Sequence, residues 1–207
     1  MSHSTSSLKP KSIEERFVQL QKVLTSQQFL NKEGISGEVP FFIFAHDPQD
    51  QVAVSKETHH LLARMETSGT QLLEINLYDH LVQIIEERGK WERLLKAEVG
   101  MEKEKFKAQL QNLTDVETKL IPRIAELIAE KPGIQILFIT GVGLVYPYIR
   151  THNLLNNLQK IAKDYPTLLF FPGRYTHTEG RGSALDLFGE LNEDKYYRAF
   201  NIEDYLL

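Results

Sequence analysis

The chain has 207 residues, 42% hydrophobic and 25% charged, with a formal net charge of −4. That is enough for one substantial core and an ordinary globular composition. It holds no cysteine, which excludes disulfides, thiolate metal sites and cysteine nucleophiles and suits the reducing cytoplasm expected as its location. No apolar run nears the roughly 20 residues of a membrane span, and the acidic balance argues against general phosphate-backbone binding.

Residues 1–11 are serine-rich with little apolar content and read as a flexible terminus, leaving 12–207 as one domain. Ser12 and Glu15 form a capping-box pattern, and Ile13, Phe17, Leu20 and Leu24 recur at helical spacing, so a first helix runs to about Gln28. Phe41 to Phe44 is the first buried strand, stopped by Asp47 and Pro48. A second helix spans about Asp50 to Thr67 and ends at Gly69. Gln71 to Leu77 alternates Leu73 and Ile75 with Glu74 and Asn76, which predicts a strand near a sheet edge. Asp79 then caps a helix to Arg88.

The stretch from Asp79 to Lys131 is rich in charge and helix formers and reads as a helical insertion between the second and third strands, divided at Gly100. Within it Thr114 and Glu117 repeat the capping-box spacing, and Pro122 is either a kink or a helix start. Trp91, Leu94, Leu95 and Phe106 exceed what two short helices bury between themselves, so Trp91 is a candidate contact residue, with packing on the sheet the equal alternative.

Ile134 to Ile139 is a short apolar run between glycines, as expected of a parallel strand covered on both faces. Thr140 to Gly143 turns the chain into a loop and a helix in which Pro147 occupies the first turn, with Leu154, Leu158 and Ile161 as its buried stripe. Thr167 to Phe171 is a fourth strand ended by Pro172 and Gly173, Arg174 to Gly182 a polar mobile loop, Ala184 to Gly189 a helical turn, and Tyr196 to Ile202 a final strand. The sum is an α/β fold: a mainly parallel sheet of four to five strands, helices on both faces, and the insertion between strands two and three.

TGVG at Thr140, VYPYIR at Val145, HNLLNNL at His152, LLFFPGRY at Leu168 and YYRAF at Tyr196 resemble the BrxB family, small components of bacterial BREX phage-defence systems. PFFIF at Pro40 and LEINLYD at Leu73 resemble it too, in the same order through nearly the whole chain. The resemblance implies a defence component with no established catalysis of its own, working beside larger BREX proteins: the phosphatase-like PglZ, an ATPase and a methyltransferase. It supplies no catalytic residues.

The residues agree in what they lack. Gly141 and Gly143 begin a Gly-x-Gly-x-x-Gly pattern, but Tyr146 stands at the third position, and no P-loop, Gly-x-Ser-x-Gly or His-Glu-x-x-His occurs. No cofactor and no metal site are therefore expected, and the chain is read as not an enzyme. Loops beyond the carboxyl ends of parallel strands gather ligands and partners, and Tyr beside Arg and Asn is interface composition. The partner-binding candidates are accordingly Tyr146, Tyr148, Arg150, Asn153, Asn157, Arg174, Tyr175 and Trp91, with Arg150, Asn153, Asn157 and Lys160 sharing one helix face. A PglZ-like subunit is the expected partner, self-association a further expectation, and nucleic acid is touched only indirectly. The alternative function is a degenerate nucleotide or nucleic-acid phosphate site built from Gly141, Gly143 and Arg150, with Arg174 as a further cation.

Overall fold

The computed structural model describes residues 11–32, 40–178, 182–189, 191–192 and 199–205. A capping box at Ser12 and Glu15 starts α1 (Ile13–Leu24), and a short α2 (Gln27–Leu30) follows. β1 (Phe41–His46) leads through a 3-10 turn into α3 (Gln51–Thr67) and then β2 (Leu72–Asn76). Four helices separate β2 from β3 (Ile136–Thr140): α4 (Leu77–Glu87), α5 (Trp91–Gly100), α6 (Lys103–Leu113) and α7 (Ile121–Glu130). After β3 come a 3-10 turn at Val142–Val145 and α8 (Thr151–Leu158). Then follow β4 (Thr167–Thr178), β5 (Gly182–Leu187), β6 (Leu191–Asn192) and β7 (Phe200–Asn201).

The parallel sheet has the order β2-β3-β4-β1-β7, so β2 lies at an edge, as its alternation predicts. Alternation along the buried strands assigns each side chain to a face. Phe42, Phe44, Phe138, Leu168 and Phe170 pack under α1 and α3, while Phe41, Ile43, Leu137, Ile139, Leu169 and Phe171 pack under α4, α7 and α8. The first face is aromatic: Phe17 of α1 meets Phe44 edge-on at 5.1 Å between ring centroids, and Phe138 meets Phe170 at 5.4 Å. Each such pair adds about 0.5–1.5 kcal/mol to plain burial.

The late chain departs from expectation. β4 does not stop at Pro172 and Gly173. It leaves the parallel sheet there and continues as an antiparallel ribbon with β5, Arg174 opposite Asp186 and Tyr175 opposite Leu185. The segment expected as a loop from Arg174 is thus strand to Thr178, with residues 179–181 outside the described set, and the helical turn expected from Ala184 is β5. Gly173 makes the bend possible, since a Cβ there would lie 2.2 Å from the carbonyl oxygen of Asp186. Of the expected last strand, Phe200–Asn201 pairs parallel with β1, and residues 196–198 fall outside the described set.

Several boundaries also move. The side chain of Asn76, not Asp79, caps α4 by accepting from the amides of Tyr78 and Asp79. Thr114 is buried and closes α6 as its C-cap, amide and hydroxyl both donating to the Leu110 carbonyl, so it does not open the next helix. Asp115 accepts from the amide of Thr118 and opens a π-turn at Val116–Leu120. Hydrogen bonds from the Thr118 hydroxyl and then its amide hold the Asp115 carboxyl below its ordinary range. Pro122 resolves as a helix start, lying in the first turn of α7. Pro147 does not: it follows a cis peptide bond after Tyr146, and α8 begins only at Thr151.

Candidate functional site

The carboxyl ends of the parallel strands form a rim whose polarity follows from strand parity. Leu72, Glu74 and Asn76 of β2 and Ile136, Phe138 and Thr140 of β3 lie side by side in register. Leu72, Ile136 and Phe138 belong to the core beneath α1 and α3. Toward the carboxyl end this face turns polar, so α3 does not close onto it and a cleft of about 220 Å³ remains between α3 and the strand ends. Gln51, Ser55, Thr58 and His59 line it from α3, Glu74 and Thr140 from the sheet, and Asp79 from α4. The Thr140 hydroxyl donates to Glu74 Oε1 at 2.8 Å. His59 makes no hydrogen bond to Ser55, Glu74 or Asp79 among the described residues, so the cleft holds no linked nucleophile and base.

Gly141 has φ +74, and a Cβ there would lie 2.7 Å from Asn76 Oδ1. The glycine is needed for this close approach to the α4 cap. Asn76 occupies the first free amides of α4, which are then unavailable to a phosphate, and Glu74 and Asp79 make the neighbourhood acidic. Gly143 has a different duty: a Cβ on it would meet Pro172 at 2.9 Å and the Phe188 ring at 3.2 Å. Arg150 lines a separate groove with Gln111, Asp115, Tyr148, His152 and Asn153. Arg174 lines a third groove, with Asp47 and Phe188, so the residues of the phosphate alternative do not converge on one cleft.

The partner-binding candidates divide in the same way. Tyr146 packs edge-on against Phe188 at 6.1 Å, beside the rim. Arg174 is exposed on the ribbon, makes no hydrogen bond or ion pair among the described residues, and lines a groove with Asp47, Gln49, Phe188 and Gly189. Tyr175 is committed internally, its hydroxyl donating to the Ala199 carbonyl at 2.8 Å and lying 2.7 Å from Ser183 Oγ. Asn157 is buried, donating to the carbonyl and side chain of Asn153 at 2.9 Å and accepting from Lys160. On the polar helix face Asn157 is thus committed within the helix, while Asn153 and Lys160 remain exposed, and Arg150 is the cap residue before α8. Trp91 lies on α5 and is half-buried, whereas Leu94, expected as exposed, is buried.

Sequence reasoning missed Phe188. It sits at the turn after β5 with φ +56, a left-handed conformation that is unfavourable for a bulky side chain, and it is 38% exposed. Leu144, in the turn packed against it, is 59% exposed, and Tyr78 at the start of α4 is 46% exposed. A hairpin reading of Ser183, Leu185 and Leu187, alternately buried, would have found the turn. Among the described residues no three His, Asp or Glu side chains are placed to hold a metal ion, and no helix is long and apolar enough to cross a membrane.

The family profile described as "BREX protein BrxB" matches residues 73–202, from β2 to the end of the sheet. Two relatives extend the likeness over the amino-terminal helices. A BREX protein BrxB of Bacillus cereus (strain H3081.97) is 33% identical over 198 residues, covering 93% of this chain and 98% of its own length. Another, of Escherichia coli O9:H4 (strain HS), is 28% identical over 193 residues, covering 92% of this chain and 91% of its own length. No solved structure matches. The motifs around Gly141, the profile match and the two full-length relatives converge: the chain belongs to the BrxB family of BREX proteins.

Proposed function

We propose that the protein is a cytoplasmic, non-catalytic assembly component of its BREX system and that it docks a larger subunit, the phosphatase-like PglZ protein, on the carboxyl rim of the sheet. The observation that carries this reading is the grouping of Leu144, Tyr146 and Phe188. Two of them are exposed apolar side chains, and Phe188 is held in a costly backbone conformation. A strained aromatic left in water is unfavourable twice in the free protein; a partner that covers the ring recovers the cost of its exposure, and the strained turn is what holds the ring in place for it. Arg174 beside it, with no ion pair among the described residues, gives the platform a charged border, the usual anatomy of a transient interface. The ATPase and the methyltransferase are other subunits such a surface would serve.

The test is capture of the system's own PglZ-type subunit by the tagged chain. Phe188→Gly relieves the left-handed strain, so the variant should melt no lower than the wild type. Combined with Arg174→Glu it should abolish capture and protection from phage. Undiminished capture by this folded double variant would place the docking surface elsewhere.

A further inference from the structure

We infer that the cleft between α3 and the carboxyl ends of β2 and β3 receives the side chain of an arginine presented by the docked protein partner. This rests on the docking reading above and specifies the chemistry of the partner. The cleft's hydrogen-bonding groups are unevenly spent. The Thr58 hydroxyl donates to Val54 O, the Thr140 hydroxyl to Glu74, and Asn76 Oδ1 accepts from two amides. The charged capacity left over is that of two carboxylates: Glu74 is half-buried with one neutral donor and no ion pair among the described residues, and no described group donates to the Asp79 carboxylate, while Gln51, Ser55 and His59 add only neutral groups. A partly desolvated carboxylate supplied with one hydroxyl is incompletely compensated, and an entering cation completes it.

The walls select which cation. Two carboxylates approach from different elements, β2 and α4, while Val54, Val142 and Phe170 give the cleft apolar sides. A guanidinium offers five donors in a plane, is weakly hydrated and tolerates apolar or aromatic contact over its faces, whereas an ammonium is a compact and strongly hydrated charge. Exposed Leu144 also lines the cleft, suited to the methylene stem of the same side chain and to apolar neighbours on the partner. A bare metal ion is a poorer fit, because the acidic and histidine groups here do not form a set of three able to hold one. Charge complementarity thus runs in opposite senses on the two sides of Leu144 and Phe188: an acidic cleft on one side, and exposed Arg174 on the other.

Two measurements on the full chain test the assignment. In amide NMR, N-acetyl-arginine methylamide should shift Asn76, Thr140 and Gly141, and N-acetyl-glutamate methylamide should not. Glu74→Gln keeps an acceptor for the Thr140 hydroxyl while removing the charge, so the fold should survive and the arginine-specific shifts should vanish. In binding to the PglZ-type subunit, Glu74→Gln should weaken affinity roughly tenfold or more, the scale of one lost charge-assisted pair, and Asp79→Asn should act in the same direction. Absence of arginine-specific shifts, shifts that persist in Glu74→Gln, or unchanged subunit affinity in both variants overturns the inference. If Phe188→Gly with Arg174→Glu abolishes capture while both carboxylate variants bind normally, docking stands and the arginine site falls. If the wild-type chain captures no subunit, the docking reading falls, and arginine-specific shifts lost in Glu74→Gln still support the cleft's chemistry.

Discussion

The carboxyl rim of the sheet and the α5–α6 hairpin both expose apolar side chains, but they are built to opposite standards. At the rim, every turn is pressed against another element: Gly141 against the α4 cap, Gly143 against Pro172 and Phe188, Gly173 against β5. In the hairpin, α5 buries only Leu94, α6 has no buried residue, and Val99 is 91% exposed. Trp91, Leu95 and Val99 follow at i, i+4 and i+8 along one side of α5. A surface held rigid loses little freedom when a partner covers it, whereas a loosely held helix pair has freedom still to lose. Exposed apolar area alone does not rank two surfaces; the firmness of their support does.

The largest way to break that contrast is through the core that carries the rim. Phe138 is fully buried on β3 against Phe170, so Phe138→Ala should cost roughly 4 kcal/mol in chemical denaturation. Next comes Gly173→Ala, whose new methyl would meet the Asp186 carbonyl, with an expected loss of about 3 kcal/mol. The matching change in the hairpin, Gly100→Ala, meets nothing within 4 Å and should be neutral or stabilise by up to about 1 kcal/mol. Equal effects of the two glycine variants on the melting temperature would erase the distinction drawn here.

A gentler probe uses His46, buried at the end of β1 with its Nδ1 on the Asp47 carbonyl at 3.0 Å and no partner for Nε2. Burial lowers its pKa, with Arg16 adding to the effect and Asp47 and Asp50 opposing it. The folded state therefore favours the neutral ring, while the unfolded state takes up a proton below about pH 6.5. Stability should be full above that value and decline as pH falls through it, by at most about 1.4 kcal/mol per pH unit for one proton. Half-buried His80 acts in the same sense, so His46→Gln should flatten part of the slope between pH 7 and 5. An unchanged slope would show that His46 is not its source.

A small loss of stability is expected at half-buried Trp91, where Trp91→Ala should cost about 1 kcal/mol or less. If the hairpin is a second contact surface, for self-association or another subunit, gel filtration should show weakened assembly. A large loss of stability would instead assign the tryptophan to packing.

What was legible in the sequence was what burial dictates. The apolar runs of β1, β3 and early β4 are strands because nothing else hides four or five consecutive large side chains on two faces, and the alternation of β2 announced its edge position. The ribbon was not legible from composition: beyond Gly173 Arg174 and Thr176 meet water on one face of β4 and His177 is exposed on the other, so the segment read as loop. The Asn157 network was missed because an asparagine that satisfies itself within its own helix looks identical, in sequence, to one awaiting a partner. Phe188 was missed because a left-handed phenylalanine contradicts the residue preferences from which turns are read.

The sheet order has a consequence for the chain while it is being made. Phe41 pairs with Thr167 and Phe44 with Phe170, so the first strand synthesised has no parallel neighbour until most of the polypeptide has emerged. At about 5–20 residues per second, the run of three phenylalanines in β1 stays unpaired for several seconds or more beside the ribosome, an adhesive segment at its most exposed. α1 emerges first and carries Phe17 and Leu20 to the same face. Its early cap makes it a nascent shield, holding half of the aromatic layer in shelter until β4 arrives.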